Sequence, residues 1–323
     1  MLYVEKIYNS TMGTVYSLSI LFISSPCVNV IFMTLLANAF EIPQNYRFLF
    51  YGFFILLVMP LPLIPVELKS KVAGYLGYVQ QAVLCIIGLS LPVALIMKKK
   101  NPMIKLNEEV KQGPITLMSF LETMSEVYFS YVGFTEANSL PKEQVGKLYV
   151  PYLCSTTVLF VLYMVLDNFF LLIYRKDGSE INYLNVLGFL RGGAKPVYLM
   201  IVCALYTMPF VGMSFMTSTN IVYIKEKYNL HDSIKYVIVT AGALLMFIAS
   251  YMQLGLIMNI VCGCMIFFSM LAMAGILFHA RRNPKYKMKI PKLVVFISVG
   301  FAAIMLGTNI TFIIKGFIKS NKN

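Results

Sequence analysis

A short stretch of aromatic and small residues is the first part of the sequence whose residue types could bind a small molecule. It reads Phe129-Ser130-Tyr131-Val132-Gly133-Phe134 and lies inside a long apolar segment. Gly133 destabilises a helix interior by about 0.8–1 kcal/mol relative to alanine, which favours an opened helix at this point. The backbone groups freed there could bind the charged ends of a zwitterion, and the rings would line its apolar part. The alternative is that Gly133 only allows close helix packing.

Acidic side chains within apolar segments form a second group of candidates. Asp167 and its neighbour Asn168 lie deep in a predicted span, where an ionisable group is costly and typical of a proton or cation site. Glu122 and Glu126 are four residues apart, so a helix would place them on one face. We predict proton or ion coupling at Asp167 and Asn168. The alternative for all three carboxylates is a position near the membrane surface.

Residue patterns typical of enzymes and metal sites are absent from the sequence. His231 and His279 have no partner at metal-ligand spacing, and neither a Ser/His/Asp set nor a glycine-rich phosphate loop occurs. All six cysteines lie within apolar segments, where a buried thiol is more common than a disulfide or a metal ligand. We therefore expect no enzymatic activity, no catalytic residue, no cofactor and no bound metal.

The composition determines the class of protein that must position these residues. Of the 323 residues, 59% are hydrophobic and 13% are charged, and the mean hydropathy is +0.74. This composition excludes a water-soluble enzyme and a disordered chain, because neither could bury or tolerate so much apolar surface. The formal net charge of +13 comes largely from short basic runs between apolar segments. Such runs are typical of span ends near lipid headgroups, so we do not expect nucleic-acid binding.

Apolar runs of about 20 residues predict an all-α, polytopic bundle of about nine membrane helices. No stretch long enough for a soluble domain separates them, so residues 1–323 are expected to form a single transmembrane domain. Basic residues are divided almost equally between the two sides, and charge therefore does not predict the orientation. The predicted spans are 11–39, 48–65, 74–97, 115–140, 148–174, 197–223, 234–251, 254–279 and 293–314.

Three ordered motifs suggest a family for this bundle. Phe129–Phe134 is followed by Val161-Leu-Tyr-Met-Val-Leu-Asp-Asn168, and Pro209-Phe-Val-Gly-Met-Ser214 is followed by Asn220. The third motif comprises Ile257-Met-Asn259, Arg281-Arg-Asn-Pro284 and Ile290-Pro291. In this order they resemble the sixth and seventh, the eighth, and the tenth helices of the amino acid–polyamine–organocation (APC) superfamily. The closest similarity is to its L-type branch, the light-chain subunits of heteromeric amino acid transporters.

The resemblance implies a LeuT-like fold in which the first span corresponds to the family's third helix. The chain is then expected to lack the family's first two helices, so that the fold is N-terminally incomplete. Ser214 and Asn220 would join Phe129–Phe134 in binding the substrate. The basic loop from Arg281 to Lys292 would face the cytoplasm.

The function implied is secondary-active transport of amino acids by alternating access, as a permease or exchanger, in a multi-pass protein of the plasma membrane. The alternative is a non-transporting, truncated relative that acts as a membrane interaction or regulatory subunit. The family's heavy-chain disulfide is not expected, because the loop from Glu41 to Arg47 contains no cysteine. The resemblance leaves open a membrane partner that binds noncovalently. The expected partners are therefore an amino acid and the lipid bilayer.

Overall fold

The described part of the chain is helical and contains no strand. The computed structural model describes residues 5, 8–79, 82–83, 116, 154, 157, 161, 195–282 and 291–320. The all-α prediction is confirmed for these residues.

The first helix, α1, runs from Ser10 to Ala39 and is the most deeply buried of the long helices. Its N-terminus is capped by Asn9, whose side chain accepts a hydrogen bond from the Met12 N–H. A π-helical turn over Ile20–Ser24 interrupts the α-helix, which resumes at Ser25. At the C-terminus, the N–H groups of Glu41 and Ile42 bond back to the carbonyls of Asn38 and Ala37. This closing pattern places Glu41 in the left-handed region, with φ of 55°.

A short helical region follows α1 and contains several breaks. Helix α2 spans Arg47–Val58 and is flanked by single turns at Gln44–Tyr46 and Leu61–Leu63. Prolines at 60, 62 and 65 lack the N–H that a continuous helix needs, so the chain turns there. Helix α3 then begins at residue 66 and is described to residue 79.

Four further helices lie in the C-terminal half: α4 over Lys195–Lys227, α5 over Ile234–Ala249, α6 over Leu254–Arg282 and α7 over Lys292–Ser320. Pro209 lies inside α4. It removes one backbone hydrogen bond there. The turn between α4 and α5 contains Asn229 with φ of 47° and an ion pair between Lys225 and Asp232.

The core forms around α1. Helices α2, α4, α5 and α6 pack against it, and α7 packs mainly on α6. Val30, Met33 and Ala37 of α1 are fully excluded from solvent, with Val261 of α6 beside them in the same cluster. By contrast, the outer face of α7 exposes large apolar side chains such as Leu293, Phe296 and Ile297. An apolar face of this extent is suited to lipid.

In the part of the chain that the structure describes, four helices are long and apolar enough to cross a membrane, which indicates a membrane protein. They are Ser10–Ala39, Gln44–Leu63, Leu254–His279 and Lys292–Lys315, with mean hydropathies of 2.1, 1.7, 2.4 and 2.2. They match the predicted spans 11–39, 48–65, 254–279 and 293–314 within a few residues.

The remaining predicted spans have different outcomes. Span 197–223 lies within the 33 residues of α4. Span 234–251 corresponds to α5, whose 16 residues extend about 24 Å, less than the hydrocarbon thickness of about 30 Å. Most of span 74–97 and nearly all of spans 115–140 and 148–174 lie outside the described residues.

Candidate functional site

Helix α4 carries the two described residues that the sequence placed in a binding site. Ser214 and Asn220 are both buried. Each bonds to a carbonyl of its own helix: the Ser214 hydroxyl donates to Val211 at 2.7 Å, and Asn220 Nδ2 donates to Met216 at 2.7 Å. Six positions of an α-helix separate the two residues by about 9 Å along the axis and by about 120° around it. They therefore face different neighbours.

Lys69 of α3 contacts α4 next to Ser214. Its Nζ lies 3.5 Å from the Ser214 carbonyl oxygen, donates to the Ser218 hydroxyl, and lies 5.2 Å from the centre of the Phe215 ring. The side chain is only 3% exposed. Among the described residues no carboxylate forms an ion pair with it. Neutral oxygens and an aromatic face thus hold this buried amine.

Burial lowers the pKa of Lys69 from its usual 10.5 to about 8. A lysine in this environment can change its protonation state near physiological pH, because the charged form is poorly solvated. Lys69 was not among the residues that the sequence predicted to form a site, and Lys71, two residues later, is exposed. One signal was available: residues two apart on a helix point in directions about 200° apart, so a helix over this region could not expose both lysines on one side.

Ser214 also lines a small cavity, whose wall is mostly apolar. It has a volume of about 30 Å³. Ser25 and Asn29 of α1 line it together with Ser214 and Thr217 of α4. The hydroxyls of Ser25 and Thr217 are 2.8 Å apart and link the two helices. The Asn29 Oδ1 atom is buried and has no hydrogen-bond partner in the described part of the chain.

A second polar junction joins the start of α1 to the end of α4. The Tyr223 hydroxyl donates to Glu5 Oε2 at 2.8 Å, and Lys227 Nζ donates to the Tyr223 and Thr14 hydroxyls, both at 2.8 Å. Lys227 also lies 3.7 Å from Glu5 Oε1. Lys227 therefore has an acidic partner, whereas Lys69 has none among the described residues.

Several predicted site residues lie outside the described residues: Phe129, Ser130, Tyr131, Val132, Gly133, Phe134, Asp167 and Asn168. Their binding and coupling roles stay predictions. Within the described residues no cluster of three or more metal-ligating side chains occurs. The five described cysteines are free thiols.

Comparisons with known proteins do not identify a family. No protein-family model matches the chain, and none of the curated proteins is similar enough to match it.

Proposed function

We propose that this chain is a secondary-active transporter that moves amino acids across the plasma membrane by alternating access. The proposal includes the finer features that the sequence predicts: a multi-pass, LeuT-like bundle of the APC type with about nine spans. Its sequence support is the ordered set of motifs from Phe129 to Pro291. Its structural support is Lys69.

A buried ionisable group between helices α3 and α4 is the observation that carries the proposal. Removing an amine from water is costly, and such groups are retained mainly where ions, protons or substrates pass. Among the described residues, no carboxylate compensates the charge of Lys69. Ser214, which the sequence placed in the substrate site, supplies one of its contacts.

The contact suggests how protonation could change the packing of helices. The lowered pKa of Lys69 means that the packed α3–α4 arrangement favours the neutral amine. Protonation of Lys69 therefore weakens this packing relative to an arrangement in which the amine reaches water. A gain or loss of one proton near pH 8 would change the α3–α4 contact, as a proton-coupled transport cycle requires.

Reconstitution tests the proposal. The purified chain in liposomes should take up at least one member of a labelled amino acid panel. We expect Lys69→Met to abolish uptake driven by a pH gradient while the protein stays folded. Lys71→Met is the matched control, because it makes the same change two residues away at an exposed position and should retain uptake.

Two outcomes would contradict the proposal. If the folded chain transports no amino acid of the panel, the alternative of a non-transporting interaction subunit is favoured. If Lys69→Met and Lys71→Met transport equally well, Lys69 has no role in coupling.

A further inference from the structure

We propose that Glu5, Tyr8 and Asn9 form a clasp that joins α4 to α6 across the start of α1, and that this clasp opens while the helices stay folded. When closed, it prevents the adjoining ends of α4 and α6 from moving apart. The proposal goes beyond the transport function, because opening of the clasp can be measured without any substrate.

The clasp connects two helices that hardly contact each other. In the described part of the chain, α4 and α6 each pack on α1 and not on one another. Glu5 Oε2 accepts a hydrogen bond from the Tyr223 hydroxyl of α4 at 2.8 Å. The Tyr8 hydroxyl donates to the Leu271 carbonyl of α6 at 2.7 Å. Asn9 caps α1 between these two anchors, so a single short segment contacts all three helices.

The anchor on α4 can be released without leaving an amine unpaired. Lys227 Nζ has three protons, and it donates to three acceptors on α1 and α4: the Ser10 carbonyl, the Thr14 hydroxyl and the Tyr223 hydroxyl. Glu5 adds an ionic contact, with its Oε1 atom 3.7 Å from Nζ. All three donors of Lys227 therefore keep their acceptors when Glu5 moves away.

The anchor on α6 is equally easy to release. Leu271 lies within the continuous helix Leu254–Arg282, so its carbonyl keeps a helical donor when Tyr8 leaves. The Glu5 side chain is 28% exposed, and Tyr8 is partly exposed. Opening therefore returns a carboxylate and a phenol to water and strands no buried polar group, which would otherwise make it costly.

The contacts of the clasp are polar, whereas those of the bundle are apolar. None of Glu5, Tyr8 and Asn9 belongs to the buried clusters around α1 or between α6 and α7. A segment held by a few hydrogen bonds at a partly exposed position opens at a lower free energy than a packed core. The clasp is thus a separate unit of local opening.

Tryptic cleavage after Lys6, within the clasp segment, tests the proposal on the full chain in phosphatidylcholine nanodiscs. The cleavage rate follows the population of the open form when opening and closing are fast. A synthetic peptide of residues 1–12 gives the rate for a fully open segment. We expect wild type to be cut after Lys6 more slowly than this peptide but faster than after Lys225 or Lys227, which lie in the last turn of α4.

Two tyrosines provide a matched pair of variants that leaves the cleavage site unchanged. Tyr223→Phe removes the hydroxyl that donates to Glu5 and keeps the ring, so it should raise the rate of cleavage after Lys6 about tenfold. Tyr228→Phe makes the same change at a hydroxyl that contacts Thr14, 2.9 Å away, and not the clasp. Its cleavage rate should stay near that of wild type.

The second anchor gives an independent variant in case Tyr223→Phe does not fold. Tyr8→Phe, measured against a peptide with the same substitution, should be cleaved about fivefold faster than wild type. Three results would overturn the proposal. They are wild-type cleavage after Lys6 as fast as in the peptide, cleavage after Lys6 no faster than after Lys225, and rates in Tyr223→Phe or Tyr8→Phe that equal those of Tyr228→Phe.

Discussion

The backbone of Gly13 lies so close to Tyr223 that a Cβ atom at position 13 would be 2.6 Å from the tyrosine hydroxyl oxygen. The same Cβ would lie 3.0 Å from the Cβ of Glu5. A larger residue at position 13 would therefore require Tyr223 and Glu5 to shift where α1 passes the end of α4. The close approach allows the Tyr223 hydroxyl to reach both Glu5 and Lys227.

Substituting Gly13 with alanine should disrupt this contact between the start of α1 and the end of α4. The added methyl group would push the Tyr223 ring away and break its bonds to Glu5 and Lys227. Overpacking of this kind typically lowers the free energy of unfolding by about 1–3 kcal/mol. The measurement is the unfolding midpoint of the purified variant against the wild-type chain.

A matched control and a rescue variant make the Gly13 prediction specific. A Cβ at Gly300 of α7 meets nothing within 4 Å, so Gly300→Ala should instead stabilise the helix by about 0.5–1 kcal/mol. Adding Tyr223→Phe to Gly13→Ala removes the clashing oxygen and should recover part of the loss. If Gly13→Ala and Gly300→Ala behave alike, the close contact has no energetic effect.

The lowered pKa of Lys69 predicts a pH dependence of stability. Its pKa is about 8 in the folded chain against an ordinary value of 10.5, so between these values the unfolded chain binds the extra proton. The free energy of unfolding should therefore rise as the pH increases from about 8 to 10.5. Below pH 8 the folded chain bears the full cost of a buried charge.

Other groups titrate in the same range, so the Lys69 contribution must be isolated by comparison. We expect Lys69→Met to be more stable than wild type at pH 7. Its free energy of unfolding should lack the increase between about pH 8 and 10.5 that Lys69 contributes. Lys71→Met should keep the wild-type profile because Lys71 is exposed. A Lys69→Met variant that is less stable than wild type at pH 7 would show that the amine stabilises the fold.

The hydroxyl pair between Ser25 and Thr217 should contribute to the α1–α4 contact. Thr217→Val keeps the shape but leaves the buried Ser25 hydroxyl without its acceptor, which should cost about 1–3 kcal/mol. Ser25→Ala added to Thr217→Val should cost little more. The two single variants and the double variant form a cycle, measured in one buffer at one pH. Strictly additive losses would mean that the two hydroxyls do not interact.

The membrane helices were the part of the fold that the sequence could predict. Hydropathy over about 20 residues depends on local composition, and the predicted span 11–39 differs from Ser10–Ala39 by one residue at its start. Packing partners are not a local property. Nothing in the sequence showed that α1 would be central and α7 peripheral, because both are similarly apolar.

The candidate site was less predictable, because its polar atoms come from distant residues. Lys69 and Ser218 are 149 positions apart, and Ser25 and Thr217 are 192 apart. Lys69 lies between two apolar runs, where basic residues are typical of span ends. Pro26 is compatible with a break in α1, but proline is also common in the first turn of a helix. Only the Ser25–Ile20 bond shows that the turn is π-helical.

The segment Phe129–Phe134 gives the last prediction, since the substrate site was placed there from sequence. Gly133→Val should abolish transport and leave the protein folded, because a branched side chain restricts the backbone and fills the space beside the freed amides. Phe134→Ala should leave substrate binding intact but loosen the closure of the site over the bound substrate. Phe129→Ala should weaken the binding of large apolar substrates more than that of small ones. The loss of binding free energy should be about 25 cal/mol for each Å² of ring area removed from the contact.

Uptake normalised to folded protein separates this binding role from simple packing. If Gly133 only allows helices to approach, all three variants should lower thermal stability and expression together, and uptake per folded molecule should not change. If the segment binds substrate, Gly133→Val should lose uptake per folded molecule while its unfolding midpoint stays near that of wild type. Normal transport by Gly133→Val would place the substrate site elsewhere and leave Lys69 as the remaining support for a transporter.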